Sequence, residues 1–132
     1  MIIMTARREE LAERLDRVQA AIAEAAAKAG REASEIQLLP VTKFHPASDV
    51  ALLHELGVTA VGENRDQEGK DKKEAVPEMS FHMIGQIQSK KTNSIARWAE
   101  WVHSVDSVAI AEGLNRGMDL ATERGSAPKT RC

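Results

Sequence analysis

A lysine at the end of an apolar run is the residue of this sequence best suited to covalent chemistry. The run Gln37–Phe44, with the sequence QLLPVTKF, reads as a buried strand that leads to Lys43. Parallel α/β proteins place their ligands at the carboxyl ends of such strands, and partial desolvation there favours the neutral, nucleophilic form of a lysine. Lys43 is therefore the candidate nucleophile, and the alternative is a lysine that ends a strand and simply reaches into water.

Polar residues and glycines occur at similar positions of the later strand-like runs. They are Gly62, Glu63, Asn64, His82, Gly85 and His103. In a parallel sheet all of them gather at one rim with Lys43. The amide of Asn64 can both donate and accept hydrogen bonds, as a cofactor ring requires. Glycine lets the backbone approach a flat ligand, although ordinary turns explain Gly62 and Gly85 equally well.

The elements that position these residues follow a regular rhythm. An apolar stripe at helical spacing predicts a leading helix over residues 5–30, with Thr5 as its N-cap and Gly30 as its end. Strand-like runs begin near residues 36, 58, 80 and 101. Helices are predicted between and after them, over residues 46–56, 66–76, 89–98 and 107–124, with Gly125 ending the last. Four strand-helix units over residues 36–125 imply a parallel sheet with right-handed crossovers.

A doubly wound sheet and a (β/α)8 barrel share this rhythm, and we favour the α/β barrel of the TIM type. A complete barrel takes about 250 residues, whereas residues 1–132 supply four units in a single domain. We expect that the polar tail, residues 126–132 with the sequence SAPKTRC, cannot form a fifth strand. The expectation is therefore the N-terminal half of a barrel, which self-associates through its open sheet edges. Pro40 lacks a ladder donor and is expected to form a bulge that helps to aim Lys43.

Composition argues against several other classes of protein. The chain has 18 basic and 20 acidic residues, a net charge of -2, so a general nucleic-acid binder is not expected. The lysines at positions 70, 72, 73, 90 and 91 are interpreted as a solvated face. No apolar run approaches the roughly 20 residues that cross a bilayer, and the single cysteine, Cys132, permits no internal disulfide. A cytoplasmic protein without membrane contact is expected.

Two further interpretations of the same residues are weaker. His82 and His103 share an offset in neighbouring runs and His45 lies near the first, so a zinc site is conceivable. No paired-histidine motif or partner carboxylate completes it, and we expect no metal but histidines of a core or pocket. Gly57 and Gly62 have the spacing of a phosphate loop, but Glu63-Asn64 stands where Lys-Ser/Thr is required.

Three motifs in order carry a family resemblance. LLPVTKFHPA, GENRDQE and FHMIGQIQSKK closely resemble the pyridoxal phosphate homeostasis proteins, which are single-domain barrels related to the N-terminal domain of alanine racemase. The resemblance covers nearly the whole chain. It implies that Lys43 holds pyridoxal 5'-phosphate (PLP) as a Schiff base and that Asn64 lies beside the cofactor. It also implies that Glu63, His82 and Gly85 line or support the pocket.

The same resemblance implies a carrier rather than a catalyst. The family is associated with homeostasis of the B6 cofactor and of amino and keto acids, with a B6 vitamer as its ligand and PLP-dependent apo-enzymes as partners. The alternatives are a racemase-like enzyme, which needs a second acid or base across the cofactor, and a half-barrel that no longer binds it. Barrels of this kind bind phosphate through loops after strands 7 and 8, which the four units lack, so reduced PLP affinity is expected.

Overall fold

The computed structural model describes residues 2–123 and 130–132, a mixed α/β fold with five α-helices and one parallel sheet in that part of the chain. The helices are α1 (Ile2–Lys28), α2 (Ala47–Glu55), α3 (Asp66–Ala75), α4 (Thr92–Trp98) and α5 (Val108–Glu123). The strands are β1 (Ala60–Glu63), β2 (Ser80–Met83) and β3 (Ala99–Val102). Short 3-10 helices cover Ala33–Glu35 and Ser89–Lys91.

The three strands pair in chain order, β1-β2-β3, and both pairings are parallel. Gly62 lies opposite His82, which in turn lies opposite Trp101, with a register shift between Phe81 and His82. A helix separates each strand from the next, as parallel pairing requires. The prediction of a parallel sheet built from strand-helix units is confirmed for these three strands.

The first predicted strand, by contrast, forms only one bridge. Val41 pairs in parallel with Gly62, through Gly62 N–H to the Pro40 carbonyl (2.8 Å) and Thr42 N–H to the Gly62 carbonyl (3.0 Å). To extend this parallel ladder toward the N-terminus, residue 40 would have to donate its N–H to the neighbouring strand, and proline has none. Pro40 therefore shortens the pairing, and the structure shows no strand there that a bulge would interrupt. The expected strand over Gln37–Phe44 is wrong in extent.

The last residues that the structure describes, 130–132, form a single bridge at the edge of the sheet rather than a strand. Arg131 forms a parallel bridge with Trp101. Its N–H donates to the Glu100 carbonyl at 2.6 Å, and its carbonyl accepts from Val102 N–H at 2.7 Å. Thr130 donates its hydroxyl to the Ala99 carbonyl at 2.6 Å. Polarity does not prevent such pairing, because the bonds at a sheet edge are made by the backbone.

The predicted helix boundaries hold within a few residues where the structure describes them. Helix α1 begins at Ile2, so Thr5 lies inside it and is not its N-cap. At its other end Gly30 has a φ of +70°, and Arg31 N–H bonds the Ala26 carbonyl, the closing pattern of a glycine-capped helix. The Ser107 hydroxyl accepts a bond from Ile110 N–H and caps α5. The predicted end of that helix at Arg124 and Gly125 lies outside the described residues.

One face of the sheet carries the hydrophobic core, and we call it the covered face. Val61, Phe81, Met83 and Val102 point to it and are almost fully buried. They pack with side chains of three helices, namely Val50, Leu53, Ile95, Trp98, Ile110 and Leu114. The opposite face, which we call the open face, carries Gly62, His82, Trp101 and, just beyond β3, His103. Among the helices that the structure describes, none is long and apolar enough to span a membrane.

Candidate functional site

Lys43 lies in the turn between the Val41 bridge and α2, and its side chain is exposed. Its Nζ is 5.9 Å from the centre of the Phe44 ring, which is itself 70% exposed. The Arg65 guanidinium lies 5.3 Å from the same ring, so two cations flank one aromatic surface. The expectation that Lys43 is partly desolvated is wrong in this structure. The buried part of the run ends at Thr42, and among the residues that the structure describes no apolar side chains enclose the lysine that follows.

The backbone immediately after Lys43 adopts a conformation that few residues adopt. Phe44 has a φ of +68°, in the left-handed region, which costs roughly 1–2 kcal/mol for a residue with a Cβ. Its N–H donates to Glu68 Oε2 of α3 at 2.6 Å. A charge-assisted bond of this kind offsets the strain and fixes the turn.

Beneath the turn lies a cluster of three charged side chains, which we call the Lys72 cluster: Glu63 and Lys72, which are buried, and Glu68, which is partly buried. Lys72 Nζ donates to Glu63 Oε2 and Glu68 Oε2, each at 2.9 Å, and to the Thr42 carbonyl at 2.7 Å. The Thr42 hydroxyl donates to Glu63 Oε2 in a short hydrogen bond. Glu63 is 0% exposed and Lys72 5%, so each charge depends on its partner.

This cluster was missed by the sequence analysis, which placed Lys72 on a solvated face. Its neighbour Lys73 is also partly buried, and it donates to the carbonyls of Pro77 and Met79 at 2.7 and 2.9 Å. Burial lowers the pKa of Lys73. The available signal was Glu63, a carboxylate at the end of an apolar strand, which needs a buried cation. Lys72 follows Glu68 by four residues in α3, so this one helix supplies both the cation that Glu63 needs and a second carboxylate that bonds the same cation.

Glu68 keeps its negative charge at this site. Burial raises the pKa of its carboxyl, but the hydrogen bonds from Lys72 and from Phe44 N–H act in the opposite direction and the pKa is lowered overall. A carboxylate that accepts from both is a stronger acceptor than a neutral acid. The turn is thus bonded to an ionised group throughout the neutral pH range.

Asn64 and Gly85 leave β1 and β2 at the same edge as the Lys43 turn. Ile84 N–H donates to the Glu63 carbonyl at 2.9 Å, which extends the strand pairing to this edge. A Cβ on Gly85 would lie 2.3 Å from the Asn64 carbonyl oxygen, so Gly85 is required by a contact within the chain. Asn64 lines a cavity of about 490 Å³, whose wall includes Arg65 and Lys91 and also the core residues Met83 and Ile95.

His82 lies on the open face, where it forms an aromatic stack. Its Nδ1 is 2.9 Å from His103 Nε2, and its ring lies against Trp101 with centroids 6.1 Å apart. The three rings line a cavity of about 450 Å³. Burial lowers the pKa of His82, and the proximity of His103 lowers it further, while Glu100 raises it. The shared offset of the two histidines therefore predicted a pair of neighbouring rings.

The third histidine of the metal hypothesis lies elsewhere. His45 Nδ1 is 3.7 Å from Asp49 Oδ2 in α2, on the side of the turn that faces α1. Among the described residues, no group of three or more His, Cys, Asp or Glu side chains is placed to hold a metal ion. A bond between two imidazoles needs no metal, because one ring donates and the other accepts.

Comparisons with known proteins give one consistent result. A pyridoxal phosphate homeostasis protein of Corynebacterium glutamicum is 64% identical over 95 residues, 72% of this chain and 43% of that protein. One from Mycobacterium leprae is 40% identical over 130 residues, 90% of this chain and 51% of that protein. No protein-family model matches. The chain thus spans about half the length of the curated relatives that it matches.

Solved structures agree with the sequence comparisons. An uncharacterised protein of Bifidobacterium adolescentis superposes with a TM-score of 0.77 at 33% identity, over 91% of this chain and 53% of that one. PipY of Synechococcus elongatus, solved with PLP bound, gives a TM-score of 0.62 at 36% identity, over 79% of this chain and 50% of PipY.

Proposed function

Because this chain belongs to the pyridoxal phosphate homeostasis protein family, we propose that it binds PLP as a Schiff base on Lys43. When bound, the cofactor supplies an aldehyde that pairs reversibly with an amine. Lys43 loses a proton to the solvent that surrounds it, its Nζ bonds the aldehyde carbon, and one water leaves. The observation that carries the proposal is an exposed lysine on a turn that is bonded to the fold at the residues before and after it.

The remaining candidate residues have different proposed roles. Asn64 lies beside the cofactor, because it directly follows β1 at the same edge of the sheet as the Lys43 turn. Gly85 permits that arrangement by leaving room for the Asn64 carbonyl. Glu63 supports the turn from below and does not line the pocket, since it is 0% exposed and faces Lys72. His82 forms part of the wall further down the open face.

We propose a carrier rather than a catalyst. A racemase needs a free acid or base opposite the lysine, whereas the acids bonded to this turn, Glu63 and Glu68, are engaged by Lys72. The matched relatives are named for homeostasis and not for a reaction. The proposed role is therefore to hold and release the B6 cofactor in the cytoplasm, which buffers its supply to apo-enzymes and with it the balance of amino and keto acids.

We also propose that the single domain is part of a (β/α)8 barrel, with the open face as part of the barrel interior. The helices that join the core pack on the covered face, as they do outside a barrel. Val41 is 48% exposed and lies with Leu11, Leu15 and Val18 around a groove of about 260 Å³. Such uncovered apolar surface favours self-association of the 132-residue chain, which sedimentation at increasing concentration measures.

The experiment is to mix the 132-residue chain with PLP, reduce with borohydride, and map the modified lysine by mass spectrometry. Unreduced samples are followed by visible absorbance. We expect one modified lysine, Lys43, and no absorbance band in Lys43→Ala. Lys28→Ala is the matched control, because the Lys28 side chain is also exposed (76%) but lies in the last turn of α1, and it should behave as the unmodified chain does.

Each alternative predicts a different outcome. Modification spread over many lysines, or none in a folded sample, would contradict the proposal and favour a half-barrel that no longer binds the cofactor. Exchange of the α-proton of amino acids with deuterium from solvent, dependent on Lys43 and PLP, would favour the racemase-like enzyme instead.

A further inference from the structure

The Lys72 cluster takes no part in the chemistry proposed above, yet it contacts the residues on both sides of the proposed nucleophile. On one side it bonds the carbonyl and hydroxyl of Thr42. On the other, Glu68 accepts the N–H of Phe44. Lys43 itself is left exposed between them. The cluster therefore restrains the backbone that carries Lys43 and leaves its amine free.

Stability alone does not account for this cluster. A buried ion pair recovers its desolvation penalty only with very good geometry, and apolar residues of similar volume are often as stable. Here a fully buried carboxylate and a 95% buried lysine are kept in place, and one oxygen of the carboxylate, Glu63 Oε1, has no bonding partner among the described residues. What the charges provide, and apolar residues cannot, is directional bonding to a particular backbone conformation.

We propose that Lys72, Glu63 and Glu68 are positioning residues that hold the Thr42–Phe44 turn so that Lys43 is presented to the aldehyde of a B6 vitamer. The inference rests on the proposed function. The left-handed conformation of Phe44 is the state that the cluster selects. Without Glu68, Phe44 relaxes toward an unstrained φ, and the direction of the Lys43 side chain changes with it.

The first test needs no cofactor. Amide hydrogen exchange by NMR measures how firmly Phe44 N–H is bonded. In Glu68→Ala we expect exchange at Phe44 to accelerate roughly tenfold, the effect of losing one charge-assisted hydrogen bond. Glu68→Gln keeps an oxygen acceptor and should restore part of the protection. Glu74→Ala is the control, because Glu74 is an exposed glutamate of the same helix.

The second test measures the consequence for Lys43. The rate of borohydride-trapped modification by PLP is compared at Lys43 and, in the same sample, at the exposed Lys28 of α1. We expect the preference for Lys43 to fall about tenfold in Glu68→Ala, measured at a temperature well below the melting transition of both chains. Lys72→Met alone leaves Glu63 buried without its cation and can unfold the chain, so the double variant Glu63→Gln/Lys72→Met is used. It removes both charges at similar volume and should show the same loss of preference.

The outcomes separate the inference from the function on which it rests. A wild-type chain that modifies Lys43 selectively, with the same selectivity in Glu68→Ala and in the double variant, would overturn the positioning role and leave the function intact. Unchanged Phe44 exchange in Glu68→Ala would also overturn it. A wild-type chain without selective modification would overturn the proposed function and the positioning role with it, whatever Phe44 exchange showed.

Discussion

The two faces of the sheet are built on different physical principles. On the covered face Trp98 is 1% exposed, its ring meets Phe81 edge-on at 6.5 Å, and its indole N–H bonds Asp66 at 2.8 Å. On the open face the partly exposed Trp101 stacks on His82 beside a cavity of about 450 Å³. One tryptophan is thus fixed by packing and a hydrogen bond, and the other lies beside unfilled space.

The difference shows where this chain obtains its stability and where it can bind a ligand. Close packing leaves no room for a ligand, and loosened packing contributes little to the free energy of unfolding. The candidate site lies at the edge where the two faces meet, with the Lys72 cluster on the covered side and the cavity beside His82 and Trp101 on the open side. Rigidity comes from one side and access from the other, which is what a preorganised site needs.

Replacing each tryptophan by alanine is the strongest way to break this comparison. Trp98→Ala removes a buried ring and its bond to Asp66, so we expect a loss of about 3–5 kcal/mol in the free energy of unfolding. Trp101→Ala should cost less than about 1.5 kcal/mol, because its ring is partly exposed. Denaturant unfolding of both variants measures the two costs. Equal costs would show that the open face is filled in solution, for example by a second copy of the chain.

Two glycines make the same comparison in the opposite direction, by adding a methyl group. A Cβ at Gly69 would lie 2.4 Å from the buried ring of Trp98, and one at Gly62 would lie 3.1 Å from the flexible end of Ile84. We expect Gly69→Ala to cost about 1–3 kcal/mol and Gly62→Ala less than about 1 kcal/mol, since Ile84 can move. Thermal melts of the two variants decide, and a more damaging Gly62→Ala would mean that the open face is as tightly packed as the covered one.

The sequence predicted the covered face better than the site, for reasons that particular residues make clear. Gly57, Pro46 and Ser107 act locally, so the helix boundaries near them were predictable. Gly69 is unfavourable in a helix by its own propensity, yet it is what allows Trp98, 29 positions later, to lie against that helix. Lys72 is an ordinary surface residue by local pattern, and only the fold brings Thr42 to it. The position of Glu63 indicates that a buried cation is needed, but which residues complete the contact is set by topology.

Helix α1 tests how much polar contacts add to an element that packs on the core through few side chains, among them Leu15 and Ala26. Its Val18 is 44% exposed, but Arg7 donates twice to Asp49 of α2, at 3.0 and 2.7 Å. These bonds lower the pKa of Asp49 and outweigh burial, which raises it. The stabilisation is therefore present above the unfolded pKa of about 3.9 and is lost as the pH falls through the lower folded pKa.

We expect Arg7→Met to cost about 1–2 kcal/mol at pH 7 and to flatten the loss of stability between about pH 4 and pH 2. Urea midpoints at several pH values measure both effects. Arg17→Met is the control, because Arg17 lies in the same helix and pairs with Glu13 on an exposed surface. If the two variants behaved alike, the contact between α1 and α2 would contribute nothing measurable.

The histidine pair gives the smallest effect and reports on the open face alone. Burial and the nearby His103 lower the pKa of His82, although Glu100 acts in the opposite direction. The unfolded chain therefore binds a proton at His82 more readily, so the stabilisation is full above about pH 6.5 and is lost as the pH falls below it. His82→Gln should reduce the loss of stability between about pH 7 and pH 5 by less than about 1 kcal/mol.

Unfolding followed by the fluorescence of Trp101, in a Trp98→Phe background, measures the change beside the histidines. An unchanged pH profile in His82→Gln would mean that the pair is hydrated, and that the open face behaves as surface rather than as the wall of a pocket.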